Sequence, residues 1–145
     1  MRVGVYEFRG PRPTVRPARQ NPAMLIATTG RGYQVKRPSK PAIGTMLANL
    51  QRNNPHLTLE RRDEGREGDW YIQVWFRDNN TYQLEYRDGV PAEHFQTLTV
   101  SQDKVLQALL SWAAGKSDWS EGFMWNNIGH MFASPTPEDE DKPTS

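Results

Sequence analysis

The stretch that most constrains the fold is DWYIQVWFRDNNTYQLEYRDG, residues 69–89, in which apolar and polar side chains alternate, stop at a polar turn and alternate again. Alternation with a period of two is typical of a β-strand that buries one face. Two such segments joined by a short Asn-rich turn predict a hairpin. On one face this hairpin carries only apolar or aromatic side chains, namely Trp70, Ile72, Val74, Phe76, Tyr82, Leu84 and Tyr86. We therefore expect that face to be part of the core.

The parity of the two strands restricts the turn between them. Opposed residues on paired antiparallel strands lie on the same face, so the loop must contain an odd number of residues if both apolar sets are to share one core. A three-residue loop fits, at residues 78–80 or at residues 79–81, because asparagine tolerates the left-handed conformation that such loops need. On the opposite face the first register gives three cross-strand pairs: Trp75 with Gln83, Gln73 with Glu85, and Tyr71 with Arg87.

Two segments have the spacing of amphipathic helices. In SKPAIGTMLANL, residues 39–50, a serine that can cap a helix and a proline precede apolar residues at i, i+3, i+4 and i+7, which are Ile43, Met46, Leu47 and Leu50. QDKVLQALLSWAAG, residues 102–115, follows a second candidate serine cap, carries an apolar stripe and ends at Gly115. We expect a helix over each segment.

Further strands are predicted on both sides of the hairpin. Arg2–Phe8, residues 57–60 and HFQTLTV at residues 94–100 alternate in the same way. The residues between the first strand and the first helix form an arm that is rich in proline and arginine and that we expect to be irregular, with MLIATT, residues 24–29, as a candidate short strand inside it.

The order of these elements predicts the fold class. Consecutive strands joined by short turns favour an α+β domain, namely an antiparallel β-meander sheet with two main helices packed on one face. A Trp-rich segment, DWSEGFMWNNIGHMF at residues 118–132, is expected to cap the end of the core. We divide the chain into an N-terminal strand and basic Pro/Arg-rich arm (1–37), an α+β body (38–132) and a disordered acidic tail (133–145).

Composition excludes several classes of protein. The chain has no cysteine, so it forms neither a disulfide framework nor a thiolate metal site. Its longest apolar run, Ala23–Ala27, is far too short for a signal peptide or a membrane helix. We therefore expect a cytoplasmic protein without a membrane partner.

Charge is distributed unevenly along the chain. Residues 1–40 contain nine Lys or Arg and a single acidic residue, whereas residues 41–137 contain twelve acidic and eight basic residues. Arginines on an extended arm can neutralise nucleic-acid phosphates, which makes Arg12, Arg16 and Arg19 candidate contacts in an alternative function as a nucleic-acid-binding accessory protein. The other interpretation is that these arginines lie against the acidic body.

No pattern typical of catalysis or metal binding is present in the sequence. His56, His94 and His130 lie far apart, and none belongs to an H-x-x-x-H or H-E-x-x-H motif. Glu93 and His94 are adjacent on a predicted strand and therefore point to opposite faces, which argues against cooperation between them. No G-x-S-x-G motif occurs. We expect a non-enzymatic protein with no metal and no cofactor.

The polar face of the hairpin is the candidate binding site for a protein partner. Tyrosine and tryptophan beside a carboxylate have the composition of interaction hot spots. The candidate partner-binding residues are Tyr71, Gln73, Trp75, Gln83, Glu85 and Arg87. The alternative is that a helix or the N-terminal arm covers this face.

The order of elements also resembles that of small bacterial proteins. The resemblance covers about residues 38–130 and lies in the segments IGTMLANL, YIQVWF, YQLEYRDG, HFQTLTV, VLQALLSWAAG and DWSEGFMWNNI. Those proteins are in turn similar to one of the immunity-protein families of polymorphic toxin systems, in which a late helix is followed by a glycine and a Trp-containing end. The resemblance implies stoichiometric neutralisation of a cognate toxin, whose active site or basic groove an acidic, ring-bearing surface would plug.

Overall fold

The structure, a computed structural model, describes residues 23–132, which form one antiparallel sheet and two helices. The strands are β1 Met24–Thr29, β2 Gln34–Lys36, β3 His56–Arg62, β4 Asp69–Phe76, β5 Tyr82–Gly89, β6 His94–Thr99 and β7 Asn126–Asn127. The helices are α1 Lys40–Ala48 and α2 Gln102–Ala113, with 3-10 turns at Asp118–Ser120 and Gly129–Phe132. Across the sheet the order is β2-β1-β3-β4-β5-β6-β7, and every neighbouring pair is antiparallel. The predicted α+β class is confirmed.

The β4–β5 hairpin adopts the first of the two predicted registers. Phe76 is opposite Tyr82, and the backbone N–H of Arg77 donates to the carbonyl of Thr81 at 2.9 Å, which leaves a three-residue loop at positions 78–80. Asn80 has a φ of 67°, the left-handed conformation expected of an asparagine there. The hairpin therefore brings the six candidate residues together as three cross-strand pairs on one face of the sheet.

Both helices begin at the predicted serine caps. The Ala42 N–H donates to Ser39 Oγ at 3.2 Å, and the Lys104 N–H donates to Ser101 Oγ at 3.1 Å. Each cap satisfies a backbone donor that the first helical turn would otherwise leave unpaired. After α2 the chain turns at Gly115, whose φ of 78° favours glycine.

The core lies between one face of the sheet and the two helices. From the sheet, fully buried side chains include Leu57, Leu59, Ile72, Val74 and Leu84, and from the helices Ile43, Leu47, Val105 and Leu109. Burying an aliphatic side chain of this size stabilises the fold by about 1.5–3 kcal/mol relative to leaving it exposed. Both helices cover the predicted core face, so the opposite face, which we call the outer face, carries no helix within residues 23–132.

The expected start of the body at residue 38 is wrong, because the sheet already begins at Met24. β1 pairs with β3 along its full length, β2 closes a hairpin on β1, and Ala27 is fully buried in the core. The arm's prolines suggested irregular structure, but residues 23–37 contain none, and a proline-free segment can supply every ladder N–H. The predicted strand Arg2–Phe8, the rest of the arm to residue 22 and the predicted acidic tail lie outside the described residues.

The Trp-rich segment packs against both faces of the sheet. On the helix side, Trp119 and Trp125 meet the ring of Tyr86 edge-on, with centroid separations of 4.5 Å and 4.8 Å. Asn126–Asn127 then adds the short strand β7 to the edge of β6. Beyond it, Phe132 reaches the outer face and packs against His94. This segment is therefore a sheet edge and a lateral wall rather than only an end cap.

Candidate functional site

The outer face presents all six residues predicted for partner binding, at the centre of the sheet. The flanking strands add further side chains to the same face because opposed residues share a face. From β3, His56 lies opposite Trp75 and Thr58 opposite Gln73. From β6, the side chains opposite Gln83, Glu85 and Arg87 are, respectively, Leu98, Gln96 and His94.

Trp75 is the exposed aromatic ring of this surface. Its side chain stands between two neighbours, with the His56 ring stacked at a centroid separation of 5.6 Å and the Arg77 guanidinium 4.5 Å from the indole centroid. The residue is nevertheless 37% exposed. An indole held upright by flanking side chains loses little conformational freedom when a partner covers it.

Glu85 is fixed by hydrogen bonds from both sides. Gln83 Nε2 donates to Glu85 Oε2 at 2.6 Å, and His94 Nε2 lies 2.8 Å from Glu85 Oε1. Arg77 in turn donates to the amide oxygen of Gln83. The Glu85 side chain keeps 21% of its surface exposed. The carboxylate is therefore oriented by its neighbours while part of it still faces solvent.

His94 is the buried centre of this network, with only 1% of its surface exposed. Arg87 Nε donates to His94 Nδ1 at 3.1 Å, and since a guanidinium has no acceptor, Nδ1 must be the unprotonated nitrogen. The proton then resides on Nε2, which donates to Glu85. A neutral imidazole thus links the carboxylate of Glu85 to the guanidinium of Arg87.

Tyr71 completes the network beneath the surface. Its hydroxyl lies 3.5 Å from His94 Nδ1, and its ring meets the imidazole edge-on. Burial raises the pKa of Tyr71 above its ordinary value; Glu85 and Asp69 add to the increase, and Arg87 opposes it. The phenol is therefore neutral at physiological pH and can act as a hydrogen-bond donor.

A C-terminal turn covers one end of the outer face. The Phe132 ring lies 4.2 Å from the His94 ring and 4.9 Å from the Arg87 guanidinium. Gly129 fixes the position of this turn, because a Cβ added there would lie 2.3 Å from the Ala92 carbonyl oxygen. Within residues 23–132 the cover of this face is this 3-10 turn, and it leaves the end at Trp75 open. The alternative that the N-terminal arm covers the face stays a prediction, because the arm up to residue 22 lies outside the described residues.

A small pocket of about 150 Å³ opens on the uncovered end of the outer face. Its walls are His56, Gln73, Trp75, Gln83 and Glu85. Within the part of the chain that the structure describes, the only basic side chain within 4.0 Å of the Glu85 carboxylate is the neutral His94. A carboxylate beside an indole and two amides can accept a cationic hydrogen-bond donor from outside.

Both nitrogens of His94 are already engaged, by Glu85 and by Arg87, and the ring is shielded from solvent. A general base needs a free nitrogen within reach of a substrate proton. Among residues 23–132, no group of three or more acidic or histidine side chains could hold a metal ion.

Sequence reasoning missed His94, Arg77, His56 and Phe132. From the sequence we considered only Glu93, the neighbour of His94 along the chain, as its catalytic partner. The hydrogen-bond partners of His94 are Glu85 and Arg87, which lie on the adjacent strand. A usable signal was present: pairing the rings of Tyr86 and Phe95, which stack at 4.8 Å, places His94 opposite Arg87 on the outer face. The alternative nucleic-acid contacts Arg12, Arg16 and Arg19 lie outside the described residues, so that hypothesis stays a prediction.

No family model matches the sequence, and neither a curated protein nor a solved structure matches it. The resemblance to immunity proteins therefore stays a prediction. Among the described helices, none has the length and apolar character needed to cross a membrane.

Proposed function

We propose that this chain is a non-enzymatic binding module that docks one protein partner on its outer face, around Trp75 and Glu85. The observation that carries the proposal is the oriented, partly exposed Glu85 carboxylate beside a 37% exposed tryptophan, on the sheet face that no described helix covers. Tryptophan at the centre of a surface and a fixed polar group beside it are features of interaction hot spots.

Preorganisation supports the proposal. The hydrogen bonds from Gln83 and His94 already hold Glu85 in place, so binding does not have to order that side chain. Leu98, which is 56% exposed and lies opposite Gln83, extends the surface with an apolar side chain. The outer face thus combines a rigid polar centre with exposed apolar contacts, as protein interfaces do.

The chemistry of the pocket indicates the partner's character. A carboxylate, an indole face and amide oxygens together favour a lysine or arginine side chain from the partner. Residues 23–132 carry twelve acidic and twelve basic side chains, so the attraction of a basic partner to this face would be local, at the Glu85 carboxylate. A toxin with a basic substrate groove fits this description, and the resemblance to immunity proteins favours it: neutralisation would be stoichiometric, by occupation of that groove.

The test is a binding assay with any toxin-like C-terminal domain that a neighbouring gene encodes, or with the protein that a pull-down from the native host recovers. Trp75→Ala and Glu85→Gln should each weaken the complex by at least about 30-fold, as hot-spot losses of 2 kcal/mol do. Matched controls are Tyr33→Ala, a 65% exposed ring near α1, and Glu93→Gln in the exposed turn before β6. Affinity that survives both outer-face changes would place the partner elsewhere.

A second function rests on the charge of the arm. The nine basic residues within positions 1–40 favour nucleic-acid binding through Arg12, Arg16 and Arg19. If the partner is a protein, the chain should not bind double-stranded or single-stranded nucleic acid of random sequence at physiological salt. Tight binding that falls steeply with salt, and that is lost when these three arginines are replaced by alanine, would instead support nucleic-acid binding as the function.

A further inference from the structure

A second pocket, of about 460 Å³, lies away from the opening at Trp75, where the ends of β3, β4 and β5 meet the C-terminal end of α2. We call it the end pocket and define it by Arg61, Arg66, Trp70, Trp112, Lys116 and Trp119. Its volume is within the range of small-molecule sites, which are about 300–1,000 Å³. Its lining places cationic groups beside indole rings.

Arg61 forms the floor of the end pocket. Its guanidinium lies 4.2 Å from the Trp112 ring centroid and donates through Nη2 to the carbonyls of Trp112 and Ala113 at the end of α2. Burial lowers the pKa of Arg61 from its ordinary value. Within residues 23–132 no carboxylate lies within 4.0 Å of it. These hydrogen bonds use a single nitrogen, so the guanidinium retains donors for a ligand.

Arg66 supplies a second guanidinium backed by a tryptophan. It lies 3.9 Å from the Trp70 ring centroid, in the exposed loop between β3 and β4, and it too has no carboxylate within 4.0 Å among the described residues. Stacking on an indole holds the plane of the guanidinium while leaving its N–H edge open.

Each of the two acidic side chains of the end pocket accepts one hydrogen bond from the protein. Asp88 accepts the Trp70 indole N–H at 3.1 Å, and Asp63 accepts the Gly65 backbone N–H at 3.0 Å. The lining contains four basic residues, but the Arg87 guanidinium lies against His94 and Phe132 on the outer face, which leaves Arg61, Arg66 and Lys116 beside these two acidic residues. The end pocket is therefore electropositive overall and has donors to offer an anion.

We propose that the end pocket binds the phosphate of a nucleoside phosphate. Arginine matches phosphate because its planar fork forms two parallel hydrogen bonds with phosphate oxygens. The half-buried ring of Trp119 provides a surface on which a nucleobase can stack. The phosphate can come from a free nucleotide or from the end of a single strand, since both present the same group beside a base.

The test is titration of the full-length, ¹⁵N-labelled protein with AMP, followed by the indole signal of Trp70. The expected result is a saturable shift of that signal, with adenosine failing to saturate it. Arg66→Ala should weaken AMP binding at least tenfold. Arg62→Ala is the matched control, because Arg62 is exposed, pairs with Glu60 at 3.1 Å and does not line the end pocket. Arg61→Ala is avoided because it also removes the cap of α2.

A 5′-phosphorylated oligothymidylate distinguishes the two sources of phosphate. Tighter binding of the strand than of AMP, with the same loss in Arg66→Ala, would identify a nucleic-acid end as the ligand; tighter binding of AMP would identify a free nucleotide. The inference is overturned if AMP gives no saturable shift, if adenosine binds as well as AMP, or if Arg66→Ala binds AMP like the unaltered protein. The folding of each variant is checked by its urea unfolding midpoint.

Discussion

The two faces of the β4–β5 hairpin are built from alternate residues of the same strands, yet they are held by different forces. The inner face consists of side chains such as Ile72, Val74 and Leu84, which are fully buried against the helices. On the outer face, Glu85 and His94 are held by directional hydrogen bonds, one within β5 and two between β5 and β6. Burial of apolar surface is non-directional, whereas a hydrogen-bond network fixes the orientation of each of its members.

This difference shows how a small sheet can be stable and still expose an aromatic ring and a carboxylate to solvent. The inner face supplies the free energy of folding, so the outer face can leave Trp75 in contact with solvent. The network around His94 restricts the polar side chains without covering them all. The predictions below separate the two contributions.

The largest expected effect is on the inner face. Leu84→Ala should lower the free energy of unfolding by about 2–5 kcal/mol, because it removes a fully buried side chain and leaves a cavity. Leu98→Ala, the same substitution on the outer face where the leucine is 56% exposed, should change it by less than about 0.5 kcal/mol. Urea unfolding of the two variants makes the comparison. Equal losses would show that the outer face is also packed as a core.

His94→Ala should have an intermediate effect. It leaves Glu85 and Arg87 without their shared partner and should cost about 1–3 kcal/mol of unfolding free energy. Gln96→Ala is the matched control on the same strand and face, since no side-chain hydrogen bond of Gln96 is present among the described residues. A change as small for His94→Ala as for Gln96→Ala would contradict the role of the network.

Alkaline pH should produce a smaller loss of stability, to which one tyrosine on each face of the sheet contributes. Burial raises the pKa of Tyr71 on the outer face and of Tyr86 on the inner face, while tyrosine in an unfolded chain ionises near pH 10, roughly its ordinary value. The stability that the neutral phenols provide is therefore complete below that pH and is lost as the pH rises toward the folded-state pKa values. Tyr71→Phe and Tyr86→Phe should each reduce the loss in urea midpoint between neutral and alkaline pH. An unchanged loss in both variants would contradict this assignment.

Much of the fold could be predicted because local signals agreed with one another. Alternation, strand parity and the tolerance of asparagine for a positive φ reduced the hairpin to two registers, both of which place the same six residues on the outer face. The serine caps and the 3.6-residue apolar spacing located both helices in the same way. Each of these signals acts over a few residues, so the sequence alone carries it.

What the sequence could not reveal depends on contacts between distant segments. MLIATT was a candidate strand and is β1, but β2 was not predicted, and the place of β1 beside β3 is decided by tertiary pairing. The His94 network requires the β5–β6 register, and the position of Phe132 on that histidine requires the path of the chain after α2. Neither is encoded within a single element.

The most direct test of the account is the free energy of unfolding of Trp75→Ala, measured by urea denaturation beside Leu84→Ala. We propose that the outer face is a binding surface and not a second core layer. We therefore expect Trp75→Ala to lose no more than about 1 kcal/mol of unfolding free energy, because the ring is 37% exposed and contacts mainly His56 and Arg77. A loss as large as that of Leu84→Ala would show that Trp75 is structural, and it would contradict the assignment of this face to a partner.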